Sequence, residues 1–335
     1  MSTRKATYVP ILKTKAGERW ALSHLKSKTR SRIAPLMEFH DHKTKALGDH
    51  VGSTCEALEA AWGCDYPFYA DTVWLHGGSG SPATIAAVFE STEEFGLQAI
   101  PVVRTTYEDA ALDQLRAVVA ENERGCLLRV TPSVLHTPQL IVNVLDALEI
   151  LPSFVDLLLD YRGRAMSLAE DVVRVPHIDE WRSFVAASGV FPASLTNLPK
   201  NKWEYIRRND WLSWLGGVEG ELPRAPIFSD YTMRSPGAPT EFGDPRVNLR
   251  YAASDRWSVQ VGGRHKEGAA PEIYPMCRQL IQRDEYSGDD FSKGDEVISL
   301  VANGEESSGG PTQWLQWCVS HHIEFVVNQI SAAGA

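Results

Sequence analysis

Eight short apolar runs in the first two thirds of this sequence each end in side chains capable of acid–base or anion-binding chemistry. In chain order these side chains are Lys13, Glu38, Asp71, Arg104, Arg129, Asp160 with Arg162, Asn197, and Asp230 with Tyr231. Arginines offer planar donor forks that suit phosphate or carboxylate. Carboxylates can act as general acid or base, or bind a divalent metal through oxygen ligands. The set therefore predicts a site for an anionic, phosphorylated ligand.

The elements that would position these side chains are eight predicted β-strands, most of them followed by a helical stretch. Eight strand–helix units close a (β/α)8 barrel, in which the strand ends converge on one mouth. We therefore predict an α/β, TIM-like barrel with the charged side chains in a ring at its mouth. The predicted strands cover residues 8–13, 33–39, 68–75, 99–106, 126–132, 155–162, 193–199 and 226–232.

Within this ring we assign candidate roles by residue type. The candidate catalytic residues are Glu38, Asp71, Asp160 and Asp230, with Mg²⁺ or Mn²⁺ as the metal they could hold. The candidate ligand-binding residues are Lys13, Arg104, Arg129, Arg162, Asn197, Tyr231 and His322. The alternative is structural, because buried charges must be paired and strand-end charges can simply satisfy one another or cap helices.

Histidines give weaker signals. His40 and His42 follow the second strand as an HxH pair that could bind metal, although a solvated loop is the simpler interpretation. His76 precedes a Gly/Ser loop that matches no phosphate-binding motif. Adjacent helical residues diverge by about 100°, so we expect only one of His321 and His322 to face the cleft.

Three tryptophans, Trp203, Trp211 and Trp214, follow the predicted seventh strand and are interspersed with Lys200, Lys202, Arg207 and Arg208. Aromatic rings mixed with basic side chains can hold single-stranded nucleic acid by stacking. The more ordinary explanation, which we favour here, is a helix that packs its tryptophans on the barrel.

Composition limits the class of protein. The 335 residues carry a formal charge of −10, which argues against broad nonspecific nucleic-acid binding. Five widely spaced cysteines without a CxxC pair, and the lack of an apolar leader or membrane span, predict a cytoplasmic protein with reduced thiols and no membrane partner. There is no GxSxG, HExxH, Walker or dinucleotide-binding motif.

The composition changes after the eighth strand. Residues 248–263 alternate as in a β-hairpin with its turn near Ser254 and Asp255, residues 271–284 look helical, and a terminal helix is expected over 312–330 with a strand-like end at 325–327. We therefore divide the chain into a barrel, residues 1–245, and a hairpin-plus-helix extension packed on it, residues 246–335.

Motifs near the two ends of the sequence resemble those of a known protein family. YVPILKTKAGERWAL followed by RIAPLMEF, and then GRHKEG, YSGDDFSKGD and the W…HH…FVV pattern near the carboxyl terminus, resemble the phage-associated beta protein family over residues 8–330. The resemblance implies a setting of phage–host conflict, without naming a reaction or a catalytic residue. It also implies that FSKGD and the histidine pair belong to the family's shared apparatus, which we expect to fold back over the barrel mouth.

Two functions follow. The first is an accessory or effector protein of phage defence, which binds a nucleotide, a phosphate, a nucleic-acid end or a partner protein of a multi-component system at the barrel mouth. The alternative is a phosphodiesterase or phosphohydrolase that uses the same arginines and carboxylates, with or without a metal.

Overall fold

The computed structural model describes residues 6–42, 44–75, 80–238 and 244–334, and its first part is a closed barrel of eight parallel strands. The predicted fold class is therefore confirmed. Around the barrel the strand order is β1-β2-β3-β4-β5-β6-β7-β9. The strands are β1 (Tyr8–Lys13), β2 (Leu36–His40), β3 (Phe68–Trp74), β4 (Ala99–Arg104), β5 (Cys126–Val130), β6 (Val155–Asp160), β7 (Ser183–Ser188) and β9 (Ile227–Asp230).

Alternation along the strands creates two apolar layers. In β6, Leu158 points into the barrel, whereas Leu157 and Leu159 point outward against the helices, and all three are fully buried. Successive strand residues point to opposite faces, so neighbours in sequence end up on different sides of the barrel wall. This alternation decides which strand-end charges can meet at the mouth.

Helices surround the barrel and continue into the extension. In the barrel they are α1 (Ala16–Ser23), α2 (Ser27–Arg30), α3 (Leu47–Trp62), α4 (Pro82–Glu94), α5 (Asp109–Asn122), α6 (Gln139–Leu148), α7 (Leu168–Asp171) and α8 (Asn209–Val218). In the extension they are α9 (Ile273–Leu280), α10 (Lys293–Asn303) and α11 (Pro311–Ala333). Within the described ranges, none of the helices combines the length and hydrophobicity needed to cross a bilayer.

The seventh strand is not where the sequence predicted it. The strand is Ser183–Ser188, which pairs with β6 on one side and β9 on the other. Residues 193–199 form an irregular and largely exposed segment instead. The run SFVAAS is short and built from small side chains, and α7 before it has one turn instead of a full helix, so the βα period that guided the prediction is broken here.

The extension contains the predicted hairpin, formed by β10 (Arg246–Ala252) and β11 (Arg256–Arg264). A third strand, β8 (Trp203–Arg207), pairs antiparallel with β11 and comes from before residue 245. The expected strand-like end at 325–327 is wrong, because α11 remains helical to Ala333. Trp211 and Trp214 of α8 are buried against Phe228 of the barrel wall, which confirms the packing interpretation for these two rings.

Candidate functional site

Four strand-end side chains meet inside the barrel at the carboxyl ends of the strands. Glu38, Asp71, Arg129 and Asp160 lie one layer above the apolar side chains that fill the interior, and all are buried. Arg129 is at the centre. Its Nη1 lies 2.9 Å from Glu38 Oε1 and 2.7 Å from Asp71 Oδ2, and its Nη2 lies 2.8 Å from Asp160 Oδ2.

Further donors complete this arrangement. Lys13 Nζ lies 2.9 Å from Glu38 Oε2, Arg104 Nη2 lies 2.5 Å from Asp71 Oδ2, and Tyr231 donates its hydroxyl to Asp160 Oδ2 at 2.6 Å. Arg162 is more exposed and stays 3.7 Å from Asp160. We call the seven closely bonded residues the inner cluster: Lys13, Glu38, Asp71, Arg104, Arg129, Asp160 and Tyr231.

Pairing dominates the electrostatics of the inner cluster. Burial alone would raise the pKa of Glu38, but the charges of Arg129 and Lys13 and their hydrogen bonds outweigh it and lower the pKa to about 2. Burial disfavours the charge of Arg129, yet Tyr231, Asp160, Glu38 and Asp71 together hold the pKa of its guanidinium above the ordinary range. Glu38 and Arg129 are therefore held as an ion pair at neutral pH.

This arrangement does not fit a Mg²⁺ or Mn²⁺ site. Such ions need several carboxylate oxygens free of other cations, whereas Arg129 contacts all three carboxylates of the inner cluster. In the described part of the chain, no three His, Cys, Asp or Glu side chains are placed to hold a metal ion. The structure thus brings Glu38, Asp71 and Asp160 together, as predicted, but in a saturated ion-pair network.

Three predicted site residues do not reach the mouth: the strand-end residues Asn197 and Asp230, and His322 of α11. Asn197 lies in the exposed segment after β7 and ends no strand. Asp230 precedes Tyr231, whose side chain points into the barrel. Because successive strand residues point to opposite faces, the Asp230 carboxylate lies on the outer face of the barrel wall. There it accepts hydrogen bonds from Tyr8 at 2.6 Å and from His322 Nε2 at 2.7 Å. These two placements correct the prediction of a single ring of strand-end side chains.

Asp230 and His322 belong to a second buried group between the barrel wall and the extension. We call it the outer cluster: Tyr8, Arg208, Asp210, Asp230 and His322. Arg208 is fully buried and donates to Ala253 O and Gln329 Oε1. The carboxylate oxygens of Asp210, the Nε and Nη2 of Arg208 and the Nδ1 of His322 have no hydrogen-bond partner among the described residues. Burial raises the pKa of Asp210 to about 7 despite Arg208.

An open cavity of about 500 Å³ lies beside the inner cluster at the same end of the barrel. The start of α1, the β2–α3 loop, α3 and the first turns of α11 enclose it. We call it the rim cavity, and its charged or titratable lining residues are Lys15, Glu18, Arg19, His40, His42, Lys45, His50 and Arg234. Among the described lining residues Glu18 is the one carboxylate, and Arg234 lies 2.8 Å from it.

The rim cavity has a positive local field. Burial lowers the pKa of His40 to about 4, and the charges of Lys15, His50, Lys13 and Arg19 add to this effect. Burial also lowers the pKa of His50, with contributions from His42 and Lys45 that Asp41 partly offsets. The two histidines are therefore neutral near pH 7, chiefly because they are partly buried, and the neighbouring cations make additional positive charge at this position still less favourable. An anion would relieve that cost.

Comparison with known proteins identifies the family. A sequence model described as Beta protein matches residues 8–328. The chain belongs to the Beta protein family. No curated protein matches it at a significant level.

Two solved structures are similar to this chain. A type I 3-dehydroquinate dehydratase from Clostridium difficile is 10% identical, with 71% of this chain and 89% of that chain covered and a TM-score of 0.42. The spore cortex-lytic enzyme SleL of Bacillus megaterium QM B1551 is 8% identical, with 81% and 68% covered and a TM-score of 0.25. At these values neither likeness bears on activity.

The C-terminal motifs that carried the resemblance to the Beta protein family hold the extension together. In FSKGD, Ser292 caps α10, and Asp295 accepts hydrogen bonds from Tyr251 at 2.7 Å and from His321 Nδ1 at 2.9 Å. His321 stacks on Tyr251 and does not approach the mouth. The expectation that these residues cover the barrel mouth is wrong, and only Thr312 and Leu315 of α11 reach the rim cavity.

Sequence reasoning missed the residues of the rim cavity. Lys15 and Arg19 follow the end of β1, whereas Lys45 and His50 follow the end of β2. The sequence did contain an indication of this site, because basic residues cluster in two consecutive loops at the end of the barrel where sites usually lie. His40 and His42 were identified as candidates, but for metal, and the neighbouring cations that favour an anion were not considered. His76 lies outside the described residues.

Proposed function

We propose that this member of the Beta protein family binds a small, multiply charged oxyanion, such as a phosphate ester or nucleotide, in the rim cavity. The observation that carries the proposal is the imbalance of charge there. Lys15, Arg19, Lys45 and Arg234 line a cavity of about 500 Å³ with a single carboxylate, Glu18, which is paired with Arg234. Pockets for small molecules commonly measure about 300–1,000 Å³, so the ligand would be of nucleotide size or smaller.

Backbone geometry supports the same ligand class. The first turn of α1, at Ala16, Gly17 and Glu18, lines the rim cavity, and Thr312 brings the first turn of α11 to it from the other side. Helix N-termini present unpaired N–H groups and a partial positive charge. Two helix starts and the basic side chains therefore converge on one space.

The inner cluster is a poorer candidate for the binding site. A ligand that used Arg129 or Lys13 would have to displace Glu38 or Asp160 from contacts of 2.8–2.9 Å, and it would leave a buried carboxylate unpaired. Arg104 of the inner cluster and the neighbouring Arg162 are more accessible, with 15% and 36% of their side-chain surface exposed. They could contact a ligand that extends from the rim cavity toward the barrel axis.

We also propose that binding serves phage–host conflict, the setting that the family resemblance implies, with the loaded protein acting on a partner of a defence system. The extension contributes to the rim cavity through Thr312 and Leu315. Ligand binding could thus change how α11 sits on the barrel, which is the surface a partner would sense.

Calorimetric titration with sulfate, pyrophosphate, ATP and citrate tests the proposal. We expect the Lys15→Gln, Lys45→Gln double variant to bind at least tenfold more weakly than the native chain. Lys28→Gln, an exposed lysine of α2, is the matched control and should bind normally. In cells, the double variant should lose phage resistance if the native protein confers it.

Two results would overturn the proposal. One is unchanged affinity in the double variant together with lost affinity in Arg104→Gln, which would move the site to the barrel mouth. The other is Mn²⁺-dependent hydrolysis of bis(p-nitrophenyl) phosphate that Asp71→Asn abolishes, which would establish the phosphodiesterase alternative.

A further inference from the structure

A furrow crosses the free edge of the three-stranded sheet, on the part of the molecule away from the rim cavity. Two shallow cavities of about 660 and 430 Å³ share Gln282 and Arg283, so they lie on either side of one arginine. The first also contacts Tyr205 and Arg256, and the second contacts Trp203. We call this surface the edge furrow.

Strand register places the aromatic rings of the furrow on one face. Trp203 pairs with Gln260 and Tyr205 pairs with Ser258, so the two rings are two residues apart on β8 and point the same way. At about 3.3 Å per residue their attachment points are roughly 6.6 Å apart. The two rings can therefore serve as two successive stacking platforms along an extended chain.

Arginines are already ordered over these rings. The Arg283 guanidinium lies 5.1 Å from the Trp203 ring and 5.7 Å from the Tyr205 ring, and Arg256 lies 4.6 Å from the Tyr205 ring. Glu285 holds the arrangement, because its Oε1 accepts from Arg283 Nε at 2.8 Å and from Ser258 at 2.5 Å. A ligand that uses these guanidinium groups would find them preorganised.

Stability of the fold gives little reason for this surface. Tyr205 leaves 53% of its surface exposed, and exposed cation–π contacts contribute about 0.5–1 kcal/mol each. Arg278 lines the second cavity, and three more basic side chains lie next to the two rings in sequence, all in exposed positions: Lys200, Lys202 and Arg207. A chain with a net charge of −10 has thus gathered arginines, lysines and open aromatic rings around β8, where Asp284 and Glu285 are the carboxylates of the described furrow lining.

We propose that the edge furrow binds single-stranded nucleic acid. Unpaired bases stack on Trp203, Tyr205 and the guanidinium planes over them, and phosphates contact Arg207, Arg278 and the two lysines. A duplex keeps its base faces covered and cannot use the rings. An acidic peptide would satisfy the arginines but leave the ring faces without a partner, so the aromatic spacing favours the nucleic acid.

Fluorescence anisotropy with labelled oligothymidylate of about 20 nucleotides, at low salt, tests this inference. We expect binding by the native chain, and at least about tenfold weaker binding by Tyr205→Ala, in keeping with the contribution of one base–aromatic stack. Phe154→Ala is the matched control, since Phe154 is a ring 57% exposed elsewhere on the surface. It should bind normally.

A second measurement does not depend on a variant that folds. Photocrosslinking of 5-iodouracil oligonucleotide to the native chain should place the adduct on Trp203 or Tyr205. The inference is overturned by any of four outcomes: no binding at low salt, equal binding of duplex DNA, equal competition by polyglutamate, or crosslinks confined to other residues.

Discussion

The inner cluster and the rim cavity lie side by side at the carboxyl end of the barrel and use similar residue types. They differ in how far their positive charges are matched by carboxylates. In the inner cluster each carboxylate has at least one cationic partner within 3.0 Å, and Asp160 also accepts a hydrogen bond from the Tyr231 hydroxyl. In the rim cavity, cations surround Glu18, the one carboxylate of its described lining. A high density of charge therefore does not by itself mark a binding site, and an excess of cations over carboxylates beside open space is the stronger indication of one.

The positions of the two regions in the fold explain this difference in charge pairing. The inner cluster sits where strand ends enter the dry interior, and an unpaired charge there would cost several kcal/mol. Sequences that fold must therefore pair these groups. The rim cavity is built from loops and helix starts that line an open cavity at the surface, so an excess of positive charge is tolerated there.

The largest expected effect separates the two regions by stability. Arg129→Met should lower the free energy of unfolding by about 4 kcal/mol or more, because it leaves Glu38, Asp71 and Asp160 facing one another without their shared cation. Urea denaturation followed by tryptophan fluorescence measures the loss. Arg162→Met is the control, since its side chain is 36% exposed and 3.7 Å from Asp160, and it should cost less than about 1 kcal/mol. An equal loss of unfolding free energy in both variants would contradict the conclusion that Arg129 pairs all three carboxylates.

The next effect is the acid sensitivity of the inner cluster. Glu38 has a pKa of about 2 in the folded chain against an ordinary value of 4.5, so its ion pairs contribute stability above pH 4.5 that is lost as the pH falls toward 2. The shift corresponds to a contribution on the order of 3 kcal/mol. In unfolding titrations, the stability gap between the native chain and Glu38→Gln should therefore shrink over that range. A gap that is constant with pH would show that Glu38 is not paired.

Particular residues show how far sequence reasoning reaches in this fold. Seven of the eight barrel strands and all seven residues of the inner cluster could be predicted, because apolar runs ending in polar side chains are a local pattern. Asp230 was misplaced because its neighbour Tyr231 takes the inward position, and one residue of register decides the face. Asn197 was misplaced because β7 has no charged end. The rim cavity depends on loops and on α11, brought together from about 300 residues apart, and no local pattern predicts that contact.

A third test asks whether the inner cluster is stable because its charges are paired or simply because they are buried. The outer cluster is equally buried, but the carboxylate of Asp210 has no hydrogen-bond partner among the described residues. Its pKa is raised to about 7 from 3.8, so deprotonation disfavours the fold, and stability is lost as the pH rises from about 4 to 7. Asp210→Asn should therefore stabilise the chain at pH 8 by a few kcal/mol and have little effect at pH 4. Asp230→Asn should destabilise the chain at both pH values, because Tyr8 and His322 bond to that carboxylate and its pKa is lowered below 3.8.

The smallest expected effect concerns the rim cavity and its pH dependence. His40 faces Lys13 on β1, Lys15 and Arg19 at the start of α1, and His50 on α3, and it stays neutral down to a pKa of about 4. A bound dianion would offset those charges and raise the pKa of His40, so by linkage the anion binds more tightly as the pH falls from 7 toward 5. Sulfate is the suitable probe, because it keeps its double charge over this range whereas phosphate does not. We expect calorimetry to show about a fivefold gain in sulfate affinity, which His40→Gln removes while the affinity at pH 7 is preserved. A gain that survives in His40→Gln would assign the proton to His42 or His50, and no gain at all would mean that sulfate does not sit within the field of His40.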